Sequence, residues 1–261
     1  MIAGDTLGVA PEAELIIGRI FGGSGGLTSW DILVEAMDWA VERGADVINV
    51  SLWSATLQFT NNAMIADAIS RARQAGAVTV WIAGNGYDSS SAPLPASVFT
   101  GSSSPQAIIV GSASSSEVPS TWSRADAEVL AWGEDVTVAR ADPFQPYATG
   151  VEGTSYSAPR VAGAIAQMLA DGAPRDPDWL EWVVLHEAID HPEISYVEEG
   201  YGFFGADSLN NARAVAAGTR PVPGADARDA FHIATSAGRT AVTGSAPRGI
   251  LPPGRAGPAE P

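Results

Sequence analysis

GTSYSAPRVAGAIAQML, residues 153–169, predicts a tight turn that runs directly into a helix. Gly153 lets the backbone turn, Thr154 or Ser155 can cap the first free amides, and Pro159 is tolerated in a first helical turn. Small and apolar residues then recur at helical spacing, which predicts a helix packed closely in the interior. Ser155 therefore lies at a helix start. It is either an ordinary cap or a nucleophile, in which case the helix dipole would stabilise an oxyanion that forms beside it.

The wider pattern of this stretch distinguishes the two roles of Ser155. Residues 153–163 follow the pattern Gly-Thr-Ser-x-x-Ala-Pro-x-Val-Ala-Gly, which resembles the nucleophile signature of the subtilisin-like serine proteases. The resemblance extends over about residues 8–216. It implies that Ser155 is the nucleophile of a serine endopeptidase and that the substrate is a polypeptide.

Composition limits the other classes of function. The formal net charge of −16 argues against nucleic acid or an anionic membrane as a partner, because both require a basic surface. There is no cysteine, so disulfides and thiol chemistry are excluded, and the three histidines form no zinc-type cluster with nearby acids. No cofactor is evident, and a structural calcium site cannot be read from the residues. No apolar run is long enough to span a membrane, and residues 1–5 lack the features of a signal peptide.

Apolar strands alternate with helical patterns along the chain. A buried strand is predicted at Leu15, Ile16, Ile17 and Ile20, and a helix from Thr28 to Gly44. Strands at 46–52, 78–83 and 107–111, a helix ending at Gly76 and two closing helices within 174–216 complete the pattern. This predicts an α/β fold with three α/β/α layers and a mostly parallel, doubly wound sheet. In such sheets functional residues collect at the carboxyl ends of the strands, where Ser51 and Asn85 fall.

The family resemblance also implies an oxyanion donor and a substrate-binding region. Asn85 would donate its side-chain amide to the oxyanion, although Asn-Gly is by itself an ordinary turn. Ser51, Leu52 and Trp53 would flank an extended substrate that pairs through its backbone. The first specificity pocket would be lined by Trp81, Ile82, Ala83 and Gly84. Trp53, Trp81 and Trp132 are all bulkier than the residues usual in the family.

The general base and its acidic partner are missing from this sequence. In the subtilisin-like order, an aspartate and then a histidine precede the serine, but His186, His191 and His232 all follow Ser155. The resemblance places the missing histidine just upstream of residue 1, so the chain is expected to be N-terminally truncated and to lack the first strands of the sheet. The expected location of a full-length protein is then secreted or in the cell envelope.

Two alternatives to a peptidase remain at this stage. One is a catalytically inactive pseudoprotease that binds extended peptides, which the three bulky tryptophans favour. The other is a nucleotide-binding domain that uses the glycine loop at residues 22–26, although that loop lacks the lysine of a phosphate-binding motif. The domain is predicted to cover residues 1–216, and the Pro-, Gly-, Ala- and Arg-rich residues 217–261 are predicted to be a disordered tail.

Overall fold

The structure is a computed structural model that describes residues 1–21, 29–52, 59–86, 107–124, 127–194 and 200–223, with no side-chain detail at 59–62. Its helices are α1 (Trp30–Glu42), α2 (Phe59–Gln74), α3 (Thr154–Ala170), α4 (Pro177–His186) and α5 (Ala206–Ala216). Its strands are β1 (Val47–Val50), β2 (Val78–Ile82), β3 (Ala107–Ala113), β4 (Val129–Trp132), β5 (Val136–Ala139) and β6 (Tyr147–Val151).

A parallel sheet of four strands forms the centre of the fold. The strand order is β1-β2-β3-β4, and every neighbouring pair is parallel. All residues of β2 and β3 are buried, as expected for strands that are covered on both faces. The predicted α/β class and parallel sheet are therefore confirmed.

Helices cover both faces of this sheet. Helix α3 contacts all four strands, while α1 and α2 pack against each other and α2 contacts β2. The small residues of α3, such as Ala158 and Ala162, are buried and allow the helix axis to lie close to the sheet. No helix in the described ranges has both the length and the apolar character needed to cross a bilayer.

The two edges of the sheet differ. At the β4 edge, the Leu130 amide donates to the Gly202 carbonyl at 2.9 Å, and the Phe204 amide donates to the Leu130 carbonyl at 2.7 Å. Residues 201–204 therefore cover this edge. At the other edge, β1 pairs with β2 alone among the described residues.

The prediction of a buried strand at residues 15–20 is wrong. These residues belong to no strand, and the side chains of Leu15 and Ile17 are 51% and 77% exposed. Ile16 is also exposed, and Ile20 is only half-buried. The physical reason is that a strand needs a hydrogen-bonded neighbour, whereas the backbone of residues 14–20 bonds to none of the described residues.

The predicted limits of α1 are partly confirmed. The helix ends at Glu42, and Gly44 follows with a φ of +80°, a conformation that favours glycine. The N-cap position is Ser29, whose side chain makes no capping bond. Thr28, the predicted start, lies outside the described residues.

The two closing helices are also confirmed. Asp176 caps α4, because its carboxylate accepts hydrogen bonds from the amides of Asp178 and Trp179. After α5, the Trp182 indole donates to the carbonyl of Pro223 at 2.8 Å, so the chain contacts the domain up to this point. The predicted tail beyond residue 223 lies outside the described residues.

Two isoleucine substitutions test which apolar residues belong to the core. Ile165 in α3 is fully buried, so Ile165→Ala is expected to lower the free energy of unfolding by about 2–5 kcal/mol. Ile17→Ala is expected to change it by less than about 0.5 kcal/mol, because the Ile17 side chain is exposed. Urea denaturation measures both variants. Equal losses would contradict the observed exposure of residues 15–20.

Candidate active site

Ser155 is the second residue of α3 and is half-buried. The helix begins after the antiparallel β5–β6 hairpin, and its N-cap is Gly153, with a φ of +148°. The Gly153 amide donates to the Gly133 carbonyl at 2.9 Å, which holds the turn against the residue that follows β4. The serine is therefore presented at the positive end of the helix dipole, as predicted.

Asn85 caps this helix from the neighbouring strand end. Its Oδ1 accepts hydrogen bonds from the Thr154 amide at 2.9 Å and from the Thr154 hydroxyl at 2.7 Å. The prediction that Thr154 or Ser155 caps the helix is therefore wrong, since Gly153 occupies the N-cap position and no capping side-chain bond comes from it. The oxygen that satisfies the free amide belongs to a residue 69 positions earlier.

The same bonds fix the orientation of the Asn85 amide. Both partners are donors, so the atom facing them is assigned as the oxygen, and the Nδ2 donor faces away from them. A Cβ atom on Gly153 would lie 3.1 Å from Nδ2, so the absence of a side chain at Gly153 leaves room for this group. Asn85 is exposed, and its Nδ2 donates to no group within the described residues.

Ser51 connects a third element to the site. It directly follows β1, and its Oγ accepts a hydrogen bond from Asn49 Nδ2 at 2.9 Å and donates to the Ser155 carbonyl at 3.3 Å. Ser51 and Asn85 thus follow neighbouring strands at the carboxyl edge of the sheet, as predicted. The structure brings Ser51, Asn85 and Ser155 together at the start of α3.

The remaining predicted substrate-binding residues differ in accessibility. Leu52 is half-buried and packs against the core, while Ile82, Ala83 and Gly84 are buried. Trp81 is 1% exposed and belongs to the hydrophobic core, so its side chain offers almost no surface here. Trp53 lies outside the described residues. The roles of these residues in a substrate pocket stay predictions.

A layer of small residues lies directly beneath the turn before Ser155. A Cβ atom on Gly133 would overlap Ser157 Oγ and would lie 2.6 Å from Ser112 Oγ and 2.8 Å from the Gly153 carbonyl. Ser112 Oγ also accepts a hydrogen bond from the Ser120 hydroxyl at 2.9 Å. Gly133 is therefore a position where the backbone of one element touches the side chains of two others.

Gly133→Ala tests this contact. The added methyl group overpacks the layer, so the free energy of unfolding is expected to fall by about 1–3 kcal/mol or more. The matched control is Gly18→Ala, because a Cβ there would meet its nearest atom at an ordinary distance of 3.7 Å. Urea denaturation of both variants measures the difference, and equal stability of the two would contradict the close packing at Gly133.

Arg160 and Trp132 form a contact that the sequence did not predict. The Arg160 guanidinium lies over the Trp132 ring, 4.2 Å from its centroid, and burial lowers the pKa of Arg160. Arg160 occupies a variable position of the motif, between Pro159 and Val161. The motif therefore gave no reason to expect a contact from this side chain.

The described histidines contact residues outside this cluster. His186 stacks on Trp182 with ring centroids 3.7 Å apart, and its Nδ1 lies 2.9 Å from the Trp182 carbonyl. His191 Nε2 lies 3.0 Å from Glu117 Oε2. His232 lies outside the described residues. Within the described ranges, no histidine hydrogen-bonds to Ser155.

His186 gives a pH dependence with a defined sign. Burial lowers its pKa below the ordinary 6.5, so the folded state binds fewer protons than the unfolded state in the window just below pH 6.5. Stability from this group is therefore complete above pH 6.5 and is lost as the pH falls through the lowered pKa. His186→Phe keeps a ring on Trp182 and removes the titration. The variant is expected to lose less stability than the wild type between pH 8 and pH 5, measured by urea denaturation at each pH, and equal losses would contradict the assignment.

The sequence profile of the subtilase family, peptidase S8, matches residues 1–203. The chain belongs to this family. The matched range includes Ser51, Asn85 and Ser155, the three residues that meet at the start of α3.

Individual relatives agree with this assignment. The chain is 29% identical to subtilisin E of Bacillus subtilis (strain 168) over 211 residues, which cover 80% of this chain and 51% of that protein. It is 32% identical to subtilisin DY of Bacillus licheniformis over 167 residues, which cover 63% and 57%. The chain thus spans about half the length of the curated relatives it matches.

Solved structures show the same fold. The structure of the patellamide maturation protease PatA is similar with a TM-score of 0.65 at 22% identity, over 84% of this chain and 81% of that chain. A cold-adapted subtilisin-like serine proteinase is similar with a TM-score of 0.60 at 24% identity, over 76% and 68%. At these identities the likeness establishes the fold alone.

Proposed function

We propose that this chain carries the nucleophile and the oxyanion donor of a serine endopeptidase. The observation that supports this most directly is the pair of hydrogen bonds from Thr154 to Asn85 Oδ1, which leave the Asn85 amide as a donor beside the start of α3. Ser155 follows immediately on the same helix. Membership of the subtilase family supports the same chemistry.

In the proposed reaction, Ser155 Oγ attacks the carbonyl carbon of the scissile peptide bond. The carbonyl oxygen becomes an oxyanion, which accepts hydrogen bonds from Asn85 Nδ2 and lies at the positive end of the α3 dipole. The general base takes the proton from Ser155 Oγ and gives it to the leaving nitrogen, so the C–N bond breaks and a neutral amine departs. The same base then deprotonates a water molecule that hydrolyses the acyl-enzyme and returns the proton to the serine. Asn85 needs little reorganisation for this role because Thr154 already holds its side chain.

A serine hydroxyl needs a general base to act as a nucleophile near neutral pH. We propose that the histidine base and its aspartate partner come from outside these 261 residues, since all three histidines of the sequence follow Ser155 and the two that are described make contacts elsewhere. By itself the chain is therefore expected to be almost inactive. Loss of the histidine alone costs on the order of 10⁶-fold in kcat, a magnitude known for a subtilisin.

The proposed substrate is an extended polypeptide. Ser51 and Leu52 follow β1 at the same edge as Ser155, and a peptide laid beside them would pair through its backbone. The family resemblance supports substrate binding in this region.

A peptide-binding protein without turnover is the second candidate. It is favoured by the contacts of His186 and His191, neither of which reaches Ser155. The two candidates share the residues at the start of α3 and differ only in whether Ser155 can be activated.

Labelling by a fluorophosphonate distinguishes the two candidates. The longest native form of the protein is expected to react at Ser155, and Ser155→Ala is the control that removes the reaction. No labelling of that form would exclude the peptidase. In-frame DNA that encodes His-Gly-Thr directly before Met1 would identify the source of the base, and an in-frame stop codon there would favour peptide binding without turnover.

Asn85→Asp tests the oxyanion donor separately from the helix cap. Aspartate keeps an oxygen for the two Thr154 donors but removes the N–H groups, so the melting temperature is expected to hold. The kcat of the same native form is expected to fall by about 100–1000-fold, the magnitude known for the equivalent donor in a subtilisin. An unchanged kcat would exclude Asn85 from the reaction.

A further inference from the structure

The pair Asn85-Gly86 carries a chemistry that the proposed reaction does not use. It is the only Asn-Gly pair in the 261 residues. Because glycine has no Cβ, its backbone nitrogen can approach the side-chain carbonyl carbon of the preceding asparagine without obstruction. Asn85 is exposed and Gly86 is half-buried, so water has access to the group that would react. The sequence and the exposure thus both favour spontaneous deamidation at Asn85.

Deamidation of this pair is a balanced reaction that needs only water. The Gly86 nitrogen loses its proton to solvent and bonds to Asn85 Cγ. The Cγ–Nδ2 bond breaks, and Nδ2 leaves as ammonia with a proton taken from water. The product is a succinimide ring. Water then opens the ring at Cγ, which gives aspartate, or at the main-chain carbonyl, which gives isoaspartate.

The fold holds the attacking nitrogen away from this reaction. The Gly86 amide donates to the Trp122 carbonyl at 3.0 Å, and Asn85 forms an antiparallel bridge with Ser123. The backbone on both sides of the reacting pair is therefore fixed. The Gly86 nitrogen must leave its acceptor before it can attack Asn85 Cγ.

The fold also restrains the carbonyl that would be attacked. Asn85 Oδ1 accepts hydrogen bonds from the Thr154 amide at 2.9 Å and from the Thr154 hydroxyl at 2.7 Å. Thr154 is fully buried at the start of α3, so it cannot follow the asparagine side chain if that side chain rotates. Rotation towards the Gly86 nitrogen therefore breaks both bonds, and the helix cap also restrains the reactive group.

We propose that Asn85 is a deamidation site that its contacts with Thr154, and those of Gly86 with Trp122, protect in the folded protein. Deamidation proceeds from a locally opened form in which these hydrogen bonds are broken. Its rate then follows the population of that form as well as the chemistry of the Asn-Gly pair. The site goes beyond the proposed reaction, and only its effect on turnover rests on the proposed function.

The two products differ in what they keep. Aspartate at position 85 retains an oxygen for Thr154 but has no N–H group for an oxyanion, so the cap is kept and the proposed donor is lost. Isoaspartate routes the main chain through the former side chain and lengthens it by a methylene group, so the bridge to Ser123 is lost as well. Both products are expected to lower kcat, and only isoaspartate is expected to lower the melting temperature.

Peptide mapping by mass spectrometry tests the proposal in the longest native form of the protein. The Ser155→Ala background prevents self-cleavage, so the measurement does not depend on activity. Conversion at position 85 is followed at mildly alkaline pH in buffer and in denaturing guanidinium chloride. It is expected to be about 10-fold slower or more in the folded protein, because both contacts must open first. Equal rates in the two states would overturn the proposal.

Thr154→Val identifies the protecting contact. The variant loses the hydroxyl donor and keeps the amide, so conversion in the folded protein is expected to rise about 2–10-fold. Thr219→Val is the matched control, since the Thr219 hydroxyl donates to the Ala214 carbonyl at 3.0 Å at the end of α5, and it is expected to leave the rate unchanged. A rate that falls or holds in Thr154→Val would overturn the proposal. An equal rise in both variants would show that conversion follows global unfolding, and this too would overturn it.

Gly86→Ala tests the chemistry and remains decisive if Thr154→Val does not fold. A Cβ atom at Gly86 would lie 3.4 Å from Arg124 Nη1 and 3.9 Å from its Cδ and Cγ, so alanine fits this position. The added methyl group obstructs the attacking nitrogen, and conversion in guanidinium chloride is expected to fall by about 10-fold or more. An unchanged rate would mean that no succinimide forms, which would overturn the proposal.

The time course of kcat in the protein that retains Ser155 separates this proposal from the proposed function. A kcat that falls in step with conversion at position 85 supports both. Conversion that follows the predicted rates with no loss of kcat would remove Asn85 from the reaction and leave the deamidation site in place. No conversion at position 85 in guanidinium chloride would overturn the deamidation site and leave the proposed function intact.

Discussion

The geometry of the candidate site depends on the two hydrogen bonds that Thr154 donates to Asn85 Oδ1. They satisfy the free amide at the start of α3, join that helix to the end of β2 and orient the Asn85 amide, all with one oxygen atom. Stability and the proposed chemistry are therefore coupled at this residue. A side chain that kept only the acceptor would keep the fold, and one that kept only a donor would lose the helix cap.

Helix α3 provides the rigid support for this arrangement. It contacts all four strands of the sheet, and its small buried residues bring its start close to the carboxyl edge where β1 and β2 end. The Ser51 hydroxyl, which donates to the Ser155 carbonyl, adds a contact from the strand beyond β2. Three separate elements thus converge on two successive residues, which gives the precision that the proposed nucleophile needs.

Local pattern predicted most of the fold but not the contacts between distant residues. The buried runs of β2 and β3, the helix ends at Gly44 and Gly76 and the motif at Ser155 were readable because each depends on neighbours in sequence. The segment at residues 15–20 has strand composition, yet composition does not supply a hydrogen-bonded neighbour, and that prediction was wrong. The cap from Asn85 was missed for a related reason, since capping rules consider nearby side chains and this one is 69 positions away.

The close contact around Gly133 also constrains how the sequence can change over evolution. A Cβ atom at Gly133 would overlap the hydroxyl of Ser157 and crowd that of Ser112, which come from α3 and β3. A side chain at Gly133 can therefore persist only if Ser157 or Ser112 loses volume. The three residues are therefore expected to vary together among homologues, as a unit of coupled substitution beneath Ser155.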